Sequence, residues 1–311
     1  MRIIGLLLLS CSLCMSCVQT DKKKALIDDD FLVAEQHLSN QLKAVPEPTV
    51  YPRTIGKDGK LIATPKNDWT EGFYPGCLWY IYEHNREENW KQSAIKWTEA
   101  LEPMKKLTSH HDIGFLIYCS FGNAYRLTGK EEYKDVIIEA ANSLTTRFSE
   151  VTGCIKSWNY RKAWNGRDEW FYPVIIDNMM NLELLYFASK VTGDTRYAKI
   201  ATTHAETTAK NQLRKDYSNY HVVDYDTLTG KVLHQATCQG FSDNSAWARG
   251  QAWAIYGYTM TYRETKNPKF LEIAIHTADY WLNHPNLPED GVPYLSLIHI
   301  SEPTRPEPIS Y

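Results

Sequence analysis

Apolar residues recur at helical spacing along most of the chain. Between Asp28 and Val45 they fall every three or four positions, as expected for one face of a helix, and prolines 46, 48 and 52 end the pattern. The same spacing predicts helices over 72–84, 90–106, 112–128, 131–148, 174–192, 195–213, 244–265 and 268–284. Residues 51–68 read as an extended loop with a turn at 56–59, and 220–225 with 232–235 as a small β-hairpin.

The predicted helices form pairs with a repeated junction. A helix end, a tight turn, a polar cap and an aromatic residue that opens the next helix recur over 125–133, 189–197 and, more weakly, 262–270. Such repeats indicate stacked helical hairpins that bury one another. The pattern predicts an all-α array and leaves open whether it is a solenoid, an open array or a closed toroid.

Composition narrows the functional classes. The chain has 311 residues, 43% of them hydrophobic, which is enough for one large core or two modest ones. Ten Trp and 20 Tyr suit sugar-stacking platforms, although both are also ordinary core residues. The net charge of -3 and the lack of a basic patch argue against a nucleic-acid partner.

The N-terminus has the pattern of an export signal. Arg2 precedes an apolar segment, 3–15, that is too short for a stable membrane anchor, and small residues follow. We interpret 1–17 as a signal peptide of the lipoprotein type with Cys17 as the lipidated residue, and 18–27 as a tether. Cys11 and Cys14 are competing lipidation sites, and a plain secretory signal is the alternative. This interpretation predicts a periplasmic or membrane-anchored lipoprotein of a Gram-negative bacterium.

The C-terminal residues 295–311 differ in character from the rest. They resemble the in-frame translation of a sequencing-library adapter, and prolines 303, 306 and 308 disfavour regular structure. We therefore expect the folded domain to be 28–294, with 295–311 an artefactual tail and the helical array incomplete at its C-terminal end.

Four cysteines follow the predicted signal. Cys77, Cys119, Cys154 and Cys238 contain no CxxC spacing, so we expect no zinc site. Cys77 and Cys119 lie in apolar helical runs and are predicted to be buried free thiols.

Two aspartates precede apolar helices in similar contexts. Asp112 follows His110 and His111 and precedes an apolar run, and Asp177 stands at the start of another helix. Each is a good helix cap, and each is equally a candidate acid or base. The tandem histidines with Asp112 do not make a convincing metal set, because adjacent residues rarely converge on one ion.

Other polar and aromatic residues lie in loops before every second helix. These loops contain Trp69, Trp158, Trp164, Trp170, His221, Gln239 and Asp243, followed by Trp247, Arg249 and Trp253. If alternate helices form an inner ring, the loops gather at one end of it as a bowl that suits an anionic sugar. Each of these residues also has a purely structural interpretation. His221 would have a structural role only, Arg249 would pair with Asp243 or Glu264, and Trp247 and Trp253 would belong to the core.

Five motifs in chain order resemble glycoside hydrolase family 88, the unsaturated glucuronyl hydrolases. The resemblance covers about 31–294, and its most specific pieces are 111–115 (HDIGF), 177–181 (DNMMN), 221–224 (HVVD), 239–241 (QGF) and 247–253 (WARGQAW). It implies an (α/α)6 barrel that acts on oligosaccharides left by polysaccharide lyases, which carry a 4,5-unsaturated uronic acid at the non-reducing end. It implies no metal and no cofactor.

The resemblance also assigns roles. Asp177 would protonate C4 of the vinyl ether and assist water at C5, while Asp112 would orient the sugar or act as a nucleophile. His111, His221 and Gln239 would contact substrate or water, and Arg249 with Trp253 would hold the unsaturated sugar. Trp69 and Trp158 would help line the bowl. Burial near Trp residues and a second carboxylate should raise the pKa of Asp177.

Two alternatives remain at this stage. A related family that hydrolyses unsaturated rhamnogalacturonan disaccharides has the same fold, but it resembles the chain less around 247–253. A surface lipoprotein that binds glycans without turning them over would need the aspartates only as caps.

Overall fold

The computed structural model describes residues 3–163, 166 and 169–297, with side chains from residue 23 onward. Helices dominate the described residues. The α-helices are α1 (Ile3–Ala44), α2 (Phe73–Asn85), α3 (Glu88–Glu99), α4 (Ile113–Ile117), α5 (Asn123–Thr128), α6 (Glu131–Thr145), α7 (Asn178–Thr192), α8 (Thr195–Asn211), α9 (Ala248–Thr265) and α10 (Pro268–Leu282).

The helices predicted from apolar spacing are present, with three changes. The predicted helix 90–106 ends at Glu99 and is followed by a 3-10 turn, Glu102–Lys106. The predicted helix 112–128 contains a π-helical turn, Tyr118–Gly122, between α4 and α5. Helix α7 begins at Asn178, because the apolar residues Pro173–Ile175 form a strand and were wrongly assigned to the helix.

The repeated junctions have the predicted geometry. Gly129 and Gly193 end α5 and α7 with φ of 68° and 75°, in the left-handed region that glycine reaches without strain. Asp194 then caps α8 through the Arg196 N–H, and Tyr197 is buried against the core. The paired-hairpin prediction is therefore confirmed.

Close contacts between helices identify an inner row. A Cβ atom at Gly72 would lie 2.1 Å from the Phe115 carbonyl oxygen, and one at Gly114 would lie 2.3 Å from Oδ1 of Asn181. A Cβ atom at Gly257 would lie 2.3 Å from the Cβ of Met179. Glycine thus brings the start of α2 against α4, α4 against α7, and α7 against α9, while α3, α8 and α10 pack on the outside of their partners.

Short β-strands form part of the loops at one end of the row of inner helices. They are β1 (Tyr51–Ile55), β2 (Leu61–Thr64), β3 (Phe148–Ser149), β4 (Cys154–Ile155), β5 (Arg161–Lys162), β6 (Glu169–Trp170), β7 (Pro173–Ile175), β8 (Val222–Tyr225) and β9 (Val232–Ala236). Strands β7, β8 and β9 form an antiparallel sheet, with Ile175 opposite Val222 and Val222 opposite Ala236. The predicted hairpin is confirmed as β8–β9, and β7 extends it. Residues 51–64 form the hairpin β1–β2 where an extended loop was predicted.

The N- and C-terminal segments of the chain can be compared with the predicted domain boundaries. Helix α1 runs without a break from Ile3 to Ala44, and the signal peptide, the tether and lipidation at Cys17 stay predictions. No helix in the described part of the chain has both the length and the apolar character that crossing a membrane requires. Leu295 accepts a hydrogen bond from the Ala248 N–H and Leu297 is buried, while 298–311 lie outside the described residues.

The cysteine prediction was half right. Cys77, Cys119, Cys154 and Cys238 are free thiols. Cys77 is exposed and Cys119 half-buried, because both line a cavity of about 850 Å³ between the inner helices rather than the core. An apolar run at helical spacing cannot distinguish a core face from a face on an internal cavity.

Candidate active site

Asp112 stands immediately before α4 with its side chain turned away from the helix. Its carboxylate makes no capping hydrogen bond to the first turn. Oδ2 lies 2.9 Å from Nδ1 of His110, and Oδ1 lies 3.3 Å from Nε2 of His111. Burial alone would raise the pKa of Asp112, but the two histidines outweigh it and hold the pKa below its usual value. Asp112 is therefore a carboxylate at neutral pH.

Asp177 occupies the matching place before α7, between strand β7 and the helix. It also makes no capping hydrogen bond, and only 6% of the residue is exposed. Burial raises the pKa of Asp177 to about 7, with the Asp112 charge acting in the same direction and the Arg249 charge against it. Near neutral pH a large fraction of Asp177 is therefore the carboxylic acid, beside an ionised Asp112.

His221, at the start of β8, faces Asp177. Its Nδ1 accepts hydrogen bonds from the backbone N–H groups of Cys238 and Gln239, at 3.0 and 3.2 Å. Burial drives the pKa of His221 well below its ordinary value, so the ring is neutral and its single proton is on Nε2. That nitrogen lies 3.7 Å from Oδ2 of Asp177. The backbone hydrogen bonds at Nδ1 fit the structural interpretation of His221, and the position of Nε2 beside Asp177 fits the chemical one. The two interpretations are therefore compatible.

Arg249, in the first turn of α9, is a cation whose charge acts on Asp177. Its guanidinium donates to Oε1 of Gln239 at 2.7 Å and lies over the rings of Trp247 and Trp69, at 4.6 and 5.6 Å from their centroids. The predicted alternatives fail: Asp243 accepts instead from the Thr237 N–H, and Glu264 pairs with Arg263. Arg249 is thus available to an anionic group that enters between the tryptophans.

Aromatic rings line both sides of the carboxylates. Trp69 meets Phe115, and Phe115 meets Trp253, with ring centroids 5.8 and 5.3 Å apart. On the other side, Trp158 stacks on Trp170 and meets the edge of His221. Trp247 is buried under His221 and belongs to the core, whereas Trp253 is half-buried. Trp164 lies outside the described residues.

Seven of the nine predicted residues are linked by contacts, from Asp177 through His221 to Trp158 and Gln239, and from Gln239 through Arg249 and Trp69 to Phe115 and Trp253. The other two, His111 and Asp112, contact each other, and the Asp112 charge acts on Asp177. An acid next to a fixed carboxylate can deliver a proton to a bound molecule and stabilise the positive charge that follows. A guanidinium between tryptophan faces suits a planar carboxylate on a sugar ring. Among the described residues, no group of three or more His, Cys, Asp or Glu side chains could hold a metal ion.

Three residues at or near the site were not singled out from the sequence. His110 contacts Asp112 directly, and Asn181 contacts His111. Glu71, two residues after Trp69, is buried, and burial and then the Asp68 charge raise its pKa to about 8. His110 and Asn181 lie beside or inside the motifs and Glu71 lies outside them, and nothing in the spacing separates the three from their neighbours.

Comparison with known proteins agrees with this geometry. A family model described as Glycosyl Hydrolase Family 88 matches residues 49–264. The unsaturated glucuronyl hydrolase of Formosa agariphila is 49% identical over 246 residues, which are 78% of this chain and 60% of that protein. The unsaturated chondroitin disaccharide hydrolase of Streptococcus agalactiae is 38% identical over 251 residues, with the same two coverages, 78% and 60%.

Solved structures give the same result. A crystal structure of an unsaturated glucuronyl hydrolase specific for heparin matches with a TM-score of 0.82 and 44% identity, over 86% of this chain and 70% of that one. An Asp-to-Asn variant of the Streptococcus agalactiae unsaturated glucuronyl hydrolase, complexed with dGlcA-GalNAc6S, matches with a TM-score of 0.71 and 32% identity, over 88% and 65%. These matches confirm the α/α-barrel fold. The chain spans about 60% of the length of these two curated relatives.

Proposed function

This chain belongs to glycoside hydrolase family 88, and we propose that it removes a 4,5-unsaturated uronic acid from the non-reducing end of lyase-generated oligosaccharides of the glycosaminoglycan type. The observation that carries the proposal is the pair of aspartates with opposite pKa shifts. Asp177 retains a proton near pH 7, and Asp112, held by two histidines, does not. Relatives named for unsaturated glucuronyl and chondroitin disaccharide substrates support the substrate class.

The reaction follows from the acid form of Asp177. Its O–H donates a proton to C4 of the vinyl ether, and the electron pair of the double bond forms the new C–H bond. Positive charge then develops at C5 and the ring oxygen, where the nearby Asp112 carboxylate stabilises it. Water attacks C5 and returns a proton to Asp177, which is thereby regenerated.

The product of this hydration breaks down without further help from the protein. The hemiketal at C5 opens to a ketone as the bond from C5 to the ring oxygen breaks. C1 is then a hemiacetal, and its collapse releases the remainder of the oligosaccharide as an alcohol. The bond attacked is not the anomeric one, so the separation of the carboxylates does not predict a stereochemical outcome.

The other residues hold the sugar for this step. Arg249 pairs with the uronate carboxylate, and Trp253 and Trp69 contact the ring faces. His221 donates Nε2–H towards Asp177 or the attacking water, and Gln239 orients Arg249. His111 orients Asp112, and Trp158 lines the opposite wall. The enol ether is already reactive towards acid, so we propose no metal and no cofactor.

The test is the ultraviolet absorbance of the conjugated uronate, which disappears when the double bond is hydrated. The chain should be incubated separately with unsaturated disaccharides from chondroitin, hyaluronan, heparin and pectin. We expect loss of absorbance with at least one glycosaminoglycan product. Turnover of the pectin product alone would replace the proposal with a rhamnogalacturonyl hydrolase, and binding without any absorbance loss would replace it with a glycan-binding protein.

We further propose that the protein is exported and anchored by lipid at Cys17, in the periplasm or on a membrane. The apolar segment 3–15 and the following cysteine support this. The chain should be expressed in a Gram-negative host with radiolabelled palmitate. We expect label in the membrane fraction that Cys17→Ala abolishes, with Cys14→Ala as the control. An unlabelled protein found only in the cytosol would contradict the proposal.

A further inference from the structure

We propose that Asn181 is a positioning residue, whose amide N–H holds His111 in the tautomer with its proton on Nε2, the ring nitrogen that faces Asp112. The inference rests on the proposed function for its catalytic meaning, but its structural part stands on the contacts of His111.

His111 carries a single ring proton at neutral pH. The ring is fully buried, and burial lowers its pKa to about 4, so at neutral pH it has one N–H only. Nε2 lies 3.3 Å from Oδ1 of Asp112. A carboxylate oxygen accepts and cannot donate, so the proton belongs on Nε2 and Nδ1 is left as an acceptor.

A donor must therefore face Nδ1. The amide Nδ2 of Asn181 lies 3.3 Å from it, and the hydroxyl of Ser157 lies at 3.4 Å. The Ser157 hydroxyl oxygen accepts from the Ile175 N–H at 2.9 Å and keeps its own O–H, so Ser157 is a second donor that can reach Nδ1. Asn181 is the nearer of the two donors, and an unsatisfied nitrogen in so buried a place would be costly.

The position of Asn181 explains how one helix serves both carboxylates. It lies four residues after Asp177, one helical turn along α7, and it packs against Gly114 at the crossing of α4 and α7. Helix α7 therefore carries the acid at its start and fixes the partner carboxylate through the next turn.

Asp177 also faces a histidine whose ring orientation is fixed by hydrogen bonds. His221 also has Nδ1 occupied as an acceptor, there by two backbone N–H groups, and its Nε2 faces Asp177. Each aspartate thus faces a buried, neutral histidine whose tautomer is set by a donor to Nδ1, the ring nitrogen on the side away from the aspartate. For His221 the donors are main-chain groups, and for His111 the nearest donor is a side chain that mutation can remove.

The consequence for pH follows from the groups around Asp112. The titratable and charged groups that face it are His110, His111, Asp177 and Arg147. Without the Asn181 donor, His111 can move its proton to Nδ1 and present a lone pair to Asp112. The charged form of Asp112 is then disfavoured, so its pKa rises and the acid limb of kcat/KM moves to higher pH.

The first experiment needs no activity. Long-range ¹H–¹⁵N spectra of the chain labelled with [¹⁵N]histidine report which ring nitrogen carries the proton, and His111→Gln assigns the signal. We expect the Nε2–H tautomer for His111 at pH 7. An Nδ1–H tautomer in the unmutated chain would overturn the proposal, whether or not the protein hydrolyses any sugar.

The second experiment uses Asn181→Leu, which keeps the approximate volume and removes the donor. We expect the Nδ1–H tautomer to appear, kcat to fall about tenfold, and KM to stay within about twofold, because one lost hydrogen bond changes the barrier by about that factor and Asn181 is buried against His111. Asn219→Leu is the matched control, since Asn219 is an equally buried asparagine whose amide donates to Gln251.

The outcomes separate the two claims. A changed tautomer with an inactive unmutated chain would leave the positioning contact standing and remove the proposed function. A His111 tautomer and an acid limb that are unchanged in Asn181→Leu would assign Asn181 to packing only. The same change in Asn219→Leu as in Asn181→Leu would also contradict the proposal, because it would reflect general loosening of the fold.

Discussion

At the scale of residues, the two aspartates show how neighbours decide the protonation of one side-chain type. Both stand before a helix, both are buried and neither caps its helix. Two histidines contact Asp112 and hold its pKa below the usual value, whereas Asp177 has one histidine at a longer distance and burial raises its pKa to about 7. The pair therefore holds an acid and a base side by side, as general acid catalysis near neutral pH requires.

Replacing Arg249 should move the basic limb of the pH profile. Asp177 must be protonated to act, so kcat/KM falls as pH rises through its pKa of about 7. The Arg249 charge lowers that pKa, and Arg249→Gln should therefore raise it and shift the basic limb to higher pH. KM should increase by about 10- to 150-fold, because a charged hydrogen bond to the uronate is lost. Absorbance kinetics over a pH series measure both.

Arg249→Lys provides the matched control. It keeps the charge and removes the planar fork, so KM should increase while the basic limb stays near its original pH. A basic limb that moves to lower pH in Arg249→Gln would contradict the assignment of that limb to Asp177.

The sequence predicted which residues form this site better than it predicted the contacts between them. Asp112, Asp177, His221 and Arg249 were identifiable because they stand at helix starts and strand starts beside aromatic residues. The partner of Arg249 was not, because Gln239 is ten positions away and no helical spacing links the two. The pKa directions could be expected only in part, since the histidine contacts of Asp112 depend on side-chain rotamers.

At the scale of elements, glycines at the crossings of the inner helices set the distance between the aspartates. Gly114 packs on Asn181 where α4 crosses α7, so Asp112 and Asp177 begin neighbouring helices in close contact. The π-helical turn Tyr118–Gly122 follows directly and re-aims the rest of that segment. The helix starts are therefore held by main-chain approach as well as by side-chain packing.

Gly114→Ala should damage both stability and activity. Its Cβ would lie 2.3–2.7 Å from atoms of Asn181, including the Cα atom, so α4 and α7 must separate. We expect a loss of about 1–3 kcal/mol in the free energy of unfolding, as for other overpacked sites, and a lower kcat. Urea denaturation and absorbance kinetics measure the two effects.

Gly122→Ala is the control for this prediction. Its nearest contact would be the side-chain ring of Tyr118 at 3.1 Å, which can give way, so the loss should be smaller. Equal losses of stability in the two variants would contradict the special role of the α4–α7 crossing.

Element prediction succeeded where apolar spacing and turn chemistry agreed. The junctions at Gly129 and Gly193 combine both signals, and the structure has the predicted helical pairs there. It failed at Pro173–Ile175, where three apolar residues precede a true helix and no periodicity distinguishes a strand from a first turn. The long-range pairing with β8 decides that segment, and it cannot be read locally.

At the scale of the whole molecule, the inner helices enclose a cavity as well as the site. The cavity of about 850 Å³ is lined by side chains of α2, α5, α7 and α9, and Cys77 opens onto it. The two aspartates are not among its lining residues. The barrel thus has the candidate site at the loops that precede the inner helices and a separate cavity formed by helix faces.

Thiol labelling should follow this arrangement. Cys77 is exposed to the cavity, whereas Cys154 is fully buried beneath the sheet. An uncharged maleimide should label Cys77 in the folded chain, slowly because the surrounding side chains partly desolvate the thiol and raise its pKa, and should label Cys154 only on unfolding. Peptide mass spectrometry locates the label, and Cys77→Ser serves as the control. Equal labelling of both cysteines in the native chain would contradict the described packing.

The role of Asp177 is decided by comparing the chain with Asp177→Asn on an unsaturated glycosaminoglycan disaccharide. Asparagine keeps the size of the side chain and cannot donate the acidic proton. We expect the variant to bind the sugar with a similar Kd, while the loss of ultraviolet absorbance slows by about 100- to 10,000-fold, the range that general acid catalysis supplies. A variant that consumes the chromophore at a rate close to that of the unmutated chain would show that Asp177 is not the acid.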